Sequence, residues 1–367
     1  MGKAEAMTPW SSLSGKRVLL TGHTGFKGAW LSLWLERIGA KVTGFALPPD
    51  QREGIFTAAS VQKSAEHVEG DVRSLDSVKK AFDASKPDVV FHLAAQSLVR
   101  LSYDKPLETL ETNVTGTANV LEAVRASGKP CAIVIVTSDK CYENREWMYA
   151  YRENDAMGGH DVYSMSKGAA ELVTSSWRRS FFHPDKIGQH GVKLASARAG
   201  NVIGGGDWAK DRIVPDAISA LRHGKAIGVR NPDAVRPWQH VLEPLSGYLT
   251  LAARLLEKDA ARYCDAFNFG PEADSARPVK QLVEQIVKSW GEGSWEDQRD
   301  PNARHEATLL KLAIDKASAM LSWQPRWSFE ECVTHTVEWY RAQAKGASAA
   351  ELRKLTLEQI ASYEGRA

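Results

Sequence analysis

The chain has 367 residues, of which 43% are hydrophobic and 25% charged, as is ordinary for a globular enzyme of one large domain or two smaller ones. The net charge of +2 gives no reason to expect nucleic acid or an acidic membrane as a partner. No apolar run approaches the roughly 20 residues that cross a bilayer, residues 1–14 lack the apolar core of a signal peptide, and four cysteines without a C-x-x-C pair predict no metal, no disulfide framework and a reducing, cytoplasmic compartment.

The first half of the chain alternates between apolar runs and amphipathic stretches. Strands are predicted at residues 17–20, 41–45, 89–93, 132–136 and 192–197. Helices are predicted between them at residues 28–38, 75–84, 107–126 and 163–179. Because near-continuous apolar strands that alternate with helices form a parallel sheet covered on both faces, this pattern predicts an α/β fold with a Rossmann-type, doubly wound parallel sheet. The pattern leaves the order of the strands open.

A glycine-rich loop, with Gly22, Gly25 and Gly28, follows the first predicted strand. Such a loop presents backbone N–H groups to a pyrophosphate at a helix N-terminus, so we predict a dinucleotide site. A Rossmann site also uses an acidic residue about 20 residues further on, at the end of the second strand, to bind the adenine ribose. Here the first acidic residue after that strand is Asp50, and no arginine follows immediately to hold a 2′-phosphate. The sequence therefore favours NAD over NADP, with a weakly held ribose.

Polar residues 137–140 come directly after the predicted strand at 132–136, at the active-site edge of such a sheet. Tyr163 and Lys167 follow on a predicted helix, four residues apart and therefore on one face, one turn from each other. A free tyrosine, with a pKa of about 10, is a poor base at neutral pH. A nearby lysine and a positive nicotinamide ring would stabilise its phenolate. The pair therefore predicts a base that takes a hydroxyl proton during hydride transfer.

The character of the sequence changes near residue 200, where loops become longer and richer in glycine, proline, tryptophan and arginine. These residues concentrate at 204–208 and 231–240. Helices are predicted at residues 244–257, 279–290, 315–321 and 329–343, with a surface helix from residue 347. We predict a dinucleotide-binding domain with the catalytic residues at 1–199, and a smaller ligand-binding lobe at 200–367 that covers the carboxyl ends of the strands. This prediction allows the chain to cross between the domain and the lobe.

Together these motifs resemble the extended short-chain dehydrogenase/reductase family over nearly the whole chain. The resemblance is carried by the glycine loop, residues 93–96, Asn113, Ser138 and the Tyr163/Lys167 pair. Within that family, residues 21–28, 137–142, 198–208 and 236–241 resemble nucleotide-sugar 4,6-dehydratases that act on CDP-sugars. Dehydratases that act on dTDP-glucose carry Asp-Glu where this chain has Asp139 and Lys140, and epimerases of the family usually carry neither.

The resemblance implies an NAD-dependent, cytoplasmic homodimer with a helical interface, which acts on a nucleotide sugar in a pathway to deoxy sugars of bacterial surface polysaccharide. It implies that Ser138 binds the sugar's 4-hydroxyl, that Asp139 is an acid, and that Lys140 is a base at C5. The implied cofactor-binding residues are Gly22, Thr24, Gly25, Phe26, Lys27, Gly28, Asp71, Val72, Ala94, Ala95, Gln96, Asn113, Tyr163 and Lys167. The implied substrate-binding residues are Ser97, Asn201, Trp208, Arg212, Arg230, Arg236 and His240, whose arginines suit a diphosphate.

Other interpretations stay open at this point. Asp71 could be a turn or N-cap residue of the next helix, Asn113 a buried polar group that ties loops together, and Asp139 and Lys140 a plain ion pair. The arginines could be solvated and the tryptophans could serve packing alone. The alternative enzyme is another nucleotide-sugar dehydratase or an epimerase. The alternative of a different class is a catalytically silent NAD-binding sensor or scaffold. The intact set of Ser138, Asp139, Lys140, Tyr163 and Lys167 argues against it.

Overall fold

The computed structural model describes residues 8–299 and 309–365. Its strands are β1 (Arg17–Thr21), β2 (Lys41–Ala46), β3 (Glu66–Glu69), β4 (Val89–His92), β5 (Cys131–Val136), β6 (Val192–Ala199), β7 (Val202–Ile203), β8 (Ile227–Val229), β9 (Val235–Pro237), β10 (Gln239–His240), β11 (Ala266–Phe269), β12 (Ala276–Pro278) and β13 (Trp295–Asp297). Its helices are α1 (Phe26–Ile38), α2 (Ile55–Ala58), α3 (Leu75–Ser85), α4 (Val99–Asp104), α5 (Pro106–Leu110), α6 (Gly116–Ser127), α7 (Val162–Ser180), α8 (Ile187–His190), α9 (Ile213–Arg222), α10 (Leu242–Leu255), α11 (Val279–Trp290), α12 (Asp315–Leu321), α13 (Phe329–Ala344) and α14 (Ala349–Glu364).

Seven parallel strands form the central sheet, in the order β11-β6-β5-β4-β1-β2-β3. Its middle strands β4 and β5 are buried along their whole length, because helices cover both faces. Val18 and Leu20 of β1 belong to the core on one face and Leu19 to the core on the other, as the alternation of side chains along a strand requires. The predicted Rossmann-type sheet is confirmed, and its order reverses between β1 and β4, where such sheets bind ligands.

Two strands of the sheet were not predicted. Strand β3 has the sequence Glu-His-Val-Glu and is mostly exposed at the sheet edge, so it carries no apolar run. Strand β11 comes from the second half of the chain and pairs with β6. Helix α10 also packs against β5 and β6. Both β11 and α10 follow residue 200 in the chain and yet belong to the central sheet or pack on it. The division of the chain into domains at residues 199 and 200 remains a prediction.

One helical segment differs from its predicted form. The helix predicted at 107–126 is divided into α5 and α6 by a π-helical turn at Glu111–Thr115, which turns the buried side chain of Asn113 inward. The C-terminal helix α14 was predicted to lie on the surface. It lies there with Glu351, Lys354, Glu358 and Ser362 exposed, and its other face buries Leu352, Ile360 and Tyr363 against α1 and α13. Within the described ranges, no helix is long and apolar enough to span a membrane.

Candidate active site

A cavity of about 650 Å³ opens at the carboxyl ends of the central strands. The residues at or just beyond those ends, including Gly22 after β1, Leu93 after β4, Val136 of β5 and Ala199 of β6, form its floor. The cavity thus lies at the reversal of strand order between β1 and β4. It has the size and the position of a ligand site in an open α/β sheet.

The glycine loop packs so closely against the sheet that side chains are excluded from two positions. Gly22 has a φ of +77°, and a Cβ there would lie 2.7 Å from the backbone nitrogen of Ala94. A Cβ on Gly28 would lie 2.2 Å from the carbonyl oxygen of Gly22. Gly25 is the N-cap residue of α1 and has no side chain to cap the helix, so the first-turn N–H groups of α1 can bind an anion. This cradle fits the pyrophosphate of a dinucleotide.

Asp71, Val72 and Arg73 line the cavity beyond β3, together with Asp50 after β2. Asp71 accepts hydrogen bonds from Arg73 Nε (2.8 Å) and from the Arg73 backbone N–H (2.9 Å), and these bonds lower the pKa of its carboxyl group. The Asp71 carbonyl also accepts from the backbone N–H of Ser74 (3.0 Å), and Ser74 is the residue that caps α3. Asp71 is therefore a turn residue and lines the cavity as well.

Ala94 and Ala95 line the cavity, as predicted for cofactor contacts, but the structure does not bring Gln96 and Asn113 to its surface. The Asn113 side chain accepts from the Gln96 backbone N–H (2.9 Å) and donates to the Gln96 carbonyl (3.0 Å) and to Ser166 Oγ (2.8 Å). These bonds tie the loop after β4 to α7. Asn113 thus has the loop-tying role that was its alternative interpretation.

Ser138, Asp139 and Lys140 follow β5 and enter a 3₁₀ turn at Asp139–Cys141. Ser138 Oγ donates to Asp139 Oδ1 (3.0 Å) and accepts from the Lys140 backbone N–H (3.2 Å). Asp139 is buried, and its Oδ2 makes no hydrogen bond to the protein in the described part of the chain. Burial raises the pKa of the Asp139 carboxyl, against the opposing effect of Lys140 and Ser138. This carboxyl therefore keeps a proton more readily than a solvated one, as an acid catalyst must.

Tyr163 and Lys167 are both buried on α7, with Lys167 Nζ 6.0 Å from the centre of the Tyr163 ring. Burial raises the pKa of Tyr163 to about 12, although the nearby Ser138 hydroxyl has the opposite effect. Burial also lowers the pKa of Lys167 to about 8. The predicted lowering of the Tyr163 pKa is therefore not found. The cost of desolvating the phenolate is larger than the stabilisation that neighbouring groups give it.

The side of the cavity opposite the glycine loop is basic. Arg212 donates to Asp207 Oδ2 (2.6 Å) and to Ser97 Oγ (3.3 Å), and Arg230 donates to Asp211 Oδ1 (3.2 Å). The predicted substrate residues that line the cavity are Ser97, Asn201, Arg212, Arg230 and Arg236. Arginine guanidinium groups at this end suit the diphosphate of a nucleotide sugar.

The structure does not bring Trp208 and His240 to the cavity. His240 is fully buried between the rings of Trp30 and Trp327, at centroid distances of 5.5 and 4.9 Å, because β10 pairs with β7 inside the core. Trp208 packs edge-on against Tyr340 at 5.2 Å, outside the cavity. The packing alternative stated for the tryptophans therefore describes Trp208.

Several polar residues that line the cavity were not predicted as site residues, among them Asp207, Asp211 and Asn231. Asp207 and Asn231 lie within the segments 204–208 and 231–240, which the sequence analysis identified as unusual. Nothing in the sequence distinguished these two residues from their neighbours as ligand contacts. Asp211 has a φ of +65°, which only the structure reveals. Lys27 was predicted only as a cofactor contact, yet it also lies within electrostatic range of Asp139, and burial lowers its pKa to about 8.

The glycine loop, the Tyr163/Lys167 pair and the neighbouring Asp139 and Lys140 line one cavity of a Rossmann-type sheet, which is the arrangement expected of a nucleotide-sugar dehydratase. The family model described as GDP-mannose 4,6 dehydratase matches residues 19–336, and the chain belongs to that family. It is 50% identical over 333 residues to the CDP-glucose 4,6-dehydratase of Salmonella typhimurium, covering 90% of this chain and 92% of that one. It is 25% identical to the dTDP-D-glucose 4,6-dehydratase of Bos taurus, covering 93% and 92%.

Solved structures share the fold. The dTDP-glucose 4,6-dehydratase of Streptomyces venezuelae, solved with NAD, aligns with a TM-score of 0.75 at 22% identity, over 90% of this chain and 98% of that one. The UDP-glucose 4-epimerase of Thermus thermophilus, also with NAD, aligns with a TM-score of 0.74 at 24% identity, over 89% and 99%. The family model and the Salmonella relative confirm the prediction of a nucleotide-sugar 4,6-dehydratase, and the solved structures confirm the predicted fold.

Proposed function

We propose that this chain converts CDP-D-glucose to CDP-4-keto-6-deoxy-D-glucose and water. One observation carries the proposal: Asp139 and Lys140 line the same cavity as the redox pair Tyr163 and Lys167. A dehydrogenase needs only the redox pair, whereas a dehydratase needs a second acid and base. The similarity to the Salmonella enzyme supports CDP-glucose as the substrate.

The chemistry explains why both pairs are needed. The hydrogen at C5 of a hexose is not acidic, but it becomes acidic once C4 is a ketone. NAD, when bound, would supply an acceptor for the hydride of C4 and a donor of that hydride to C6. Tyr163 accepts the proton of the 4-hydroxyl, Ser138 hydrogen-bonds the same hydroxyl, and the Lys167 ammonium favours the phenolate.

Elimination is assigned to the turn after β5. Lys140 removes the C5 hydrogen as a proton, and Asp139 protonates the 6-hydroxyl as it leaves as water. When a hydride is returned to C6, the Lys140 ammonium gives a proton back to C5, and the 4-hydroxyl proton held by Tyr163 balances, through solvent, the proton that Asp139 lost. Two titrating groups in different environments can divide such work. The raised pKa of Asp139, caused by burial, supports its role as the acid. Lys140 is less buried than Asp139, and its place in the cavity supports its role as the base.

The alternatives now carry less support. The 50% identity to a curated dehydratase and the Asp139/Lys140 pair disfavour an epimerase. A silent sensor has no use for a buried acid with a raised pKa beside a buried Tyr/Lys pair. We also propose, from the resemblance to CDP-sugar dehydratases, that the product enters a route to deoxy sugars of bacterial surface polysaccharide. The four cysteines without a disulfide framework support a cytoplasmic protein.

We further propose a homodimer. Helices α5 and α7 expose Leu107 (72%), Leu172 (61%) and Met165 (40%). Met165 and Leu172 are seven residues apart and therefore share a face of α7. Apolar side chains clustered on adjoining helices suggest a surface that a second copy covers. Light scattering should give twice the chain mass, and Leu172→Lys should reduce it to the chain mass.

The function is tested with CDP-, dTDP-, UDP- and GDP-glucose at matched NAD⁺ saturation. A site that hydrogen-bonds the cytosine edge leaves polar groups unpaired when another base enters, so we expect CDP-glucose to exceed dTDP-glucose in kcat/KM by about tenfold or more. A preference for dTDP-glucose would overturn the substrate and leave the reaction standing.

The reaction itself is tested with CDP-glucose that carries deuterium at C4. Internal return of the hydride places deuterium at C6 of the product, without lasting accumulation of NADH. Stoichiometric release of NADH would instead identify a simple dehydrogenase.

A further inference from the structure

We infer that Glu171 is a positioning residue for this reaction, whose buried pair with Arg198 holds the helix of Tyr163 and Lys167 in register with the turn of Ser138, Asp139 and Lys140. The inference rests on the proposed function. It concerns how two sequence-distant halves of the active site are aligned, which neither catalytic pair can ensure alone.

Glu171 lies on α7 one turn beyond Lys167 and two turns beyond Tyr163, on the same face of the helix. Its side chain is 4% exposed. Its Oε1 accepts a hydrogen bond from Thr137 Oγ1 (2.5 Å), and its Oε2 accepts from Ser196 Oγ (2.8 Å) and Arg198 Nη2 (2.8 Å). Thr137 directly precedes Ser138, so the first of these bonds joins the catalytic helix to the catalytic turn.

Arg198 extends the network to the far side of the same turn. It lies on β6 with a side chain 3% exposed, and its Nη1 donates to the hydroxyl of Tyr142 (2.7 Å) and to the Glu153 carbonyl (2.9 Å). The Tyr142 hydroxyl donates in turn to Asn268 Oδ1 on β11 (2.7 Å). Tyr142 follows Lys140 by two residues. The network therefore hydrogen-bonds the catalytic turn at Thr137, before Ser138, and at Tyr142, after Lys140.

The network acts through other residues. Among the described residues, Thr137, Ser138, Asp139, Lys140, Tyr163 and Lys167 line the cavity, whereas Glu171 and Arg198 do not. A buried ion pair is weak evidence for stability, since apolar residues of similar volume often stabilise as well or better. The carboxylate accepts three hydrogen bonds and the guanidinium donates through Nη1 and Nη2. These bonds add fixed geometry, because each constrains direction as well as distance.

Glu171 also affects the charge of Lys167. Burial lowers the pKa of Lys167, and the Glu171 carboxylate opposes this effect. Removing that negative charge should therefore lower the pKa of Lys167 further, so that the ammonium is lost at a lower pH. The other titratable groups facing Lys167 are Tyr163 on α7, Cys141 after β5, His92 on β4 and Lys27 on α1.

The test compares Glu171→Gln with Glu243→Gln. Glu243 is a control for the loss of buried hydrogen bonds, since it accepts from the backbone N–H groups of Arg326 and Trp327 and from the Tyr363 hydroxyl, away from the cavity. Burial raises its pKa to about 7, so this control does not remove a full charge. Glu171→Gln should lower kcat for CDP-glucose by roughly 10- to 100-fold, as a displacement of about 1 Å can, with little change in KM. Its alkaline limb of activity should move to lower pH. Glu243→Gln should retain kcat and the pH profile.

Thr137 supplies a milder pair of variants in case Glu171→Gln folds poorly. Thr137→Val removes the hydroxyl that bonds Glu171, and Thr137→Ser keeps it. We expect Thr137→Val to lose kcat roughly tenfold and Thr137→Ser to stay near wild type. Equal kcat for the two, or losses in Glu171→Gln that match its folded fraction with an unmoved pH limb, would overturn the inference. If wild-type protein turns over no nucleotide sugar, the proposed function fails instead, so the two failures are distinguishable.

Discussion

The two ends of the cavity are built in different ways. At the glycine loop, the backbone forms the site, and the loop works because side chains are missing at Gly22 and Gly28. At the turn after β5, buried side chains form the site, and their pKa values are shifted by burial. The loop is specified by a short local segment, whereas the turn depends on partners such as Glu171 and Arg198 that are distant in sequence.

This difference predicts different consequences of mutation. A change at the catalytic end should affect a chemical step and leave cofactor binding intact. A change at the loop should affect cofactor affinity and leave the chemistry of the bound enzyme intact. Four experiments test this separation.

The largest effect is expected for Tyr163→Phe. Loss of the phenol removes the group that accepts the 4-hydroxyl proton, so oxidation at C4 should slow by roughly 10²–10⁴, while NAD affinity stays near wild type. Single-turnover formation of NADH measures the step. Tyr263→Phe is the control, since Tyr263 is buried outside the cavity. Normal oxidation by Tyr163→Phe would assign the base to another residue.

Lys140→Ala should separate the two halves of the reaction. Oxidation at C4 should persist, because Tyr163 and Lys167 are unchanged. Exchange of the C5 hydrogen with solvent and loss of water should slow by about 10² or more, as for removal of a general base. Both are measured on one sample by mass spectrometry in deuterated water. Dehydration at the wild-type rate would leave Lys140 as only an ion-pair partner of Asp139.

The same contrast explains what the sequence could predict. The glycine loop and the Tyr163/Lys167 pair are local patterns with a fixed spacing, so both were found and both lie in the cavity. The pairing of β11 with β6 and the burial of His240 depend on contacts between segments that are distant in sequence. A local sequence pattern cannot predict such contacts. Asn113 was found, but its role depends on a π-helical turn that helical periodicity cannot reveal. Glu171 had one local signal, its spacing of four from Lys167, without its partners Thr137 and Arg198.

At the glycine loop, we expect Gly22→Ala to lower NAD affinity. An alanine at positive φ costs roughly 1–2 kcal/mol, and at Gly22 its Cβ would also meet Ala94 at 2.7 Å. The loop must move, and loss of one good N–H···phosphate bond lowers NAD affinity roughly tenfold. Gly15→Ala is the matched control, since Gly15 has a φ of +72° with nothing within 4 Å of a Cβ. Both should lose stability, but only Gly22→Ala should lose NAD affinity. Equal affinities would show that the loop tolerates displacement.

The smallest effect concerns the adenosine end of the same site. Asp50 and Asp71 line it, and the guanidinium of Arg73 is already paired with Asp71 at 2.6 Å. The pKa of Asp71 is lowered by that arginine, so its carboxylate is ionised at neutral pH and repels a 2′-phosphate. Because no acidic residue follows Phe45 directly, we also expect the ribose to be held weakly and some purified protein to lack NAD.

Added NAD⁺ should therefore raise activity more than NADP⁺ does. Two like charges about 4 Å apart repel by about 1 kcal/mol in water, so for the partly exposed Asp71 a roughly fivefold preference is expected, measured as the ratio of half-saturating concentrations. Asp71→Asn should narrow that ratio, because it removes the repulsion and frees Arg73 for the phosphate. Low salt should widen the preference of the wild type, since such exposed charges are screened. Equal stimulation by both cofactors would contradict the NAD preference. It would show that the charge of Asp71 does not discriminate between NAD⁺ and NADP⁺.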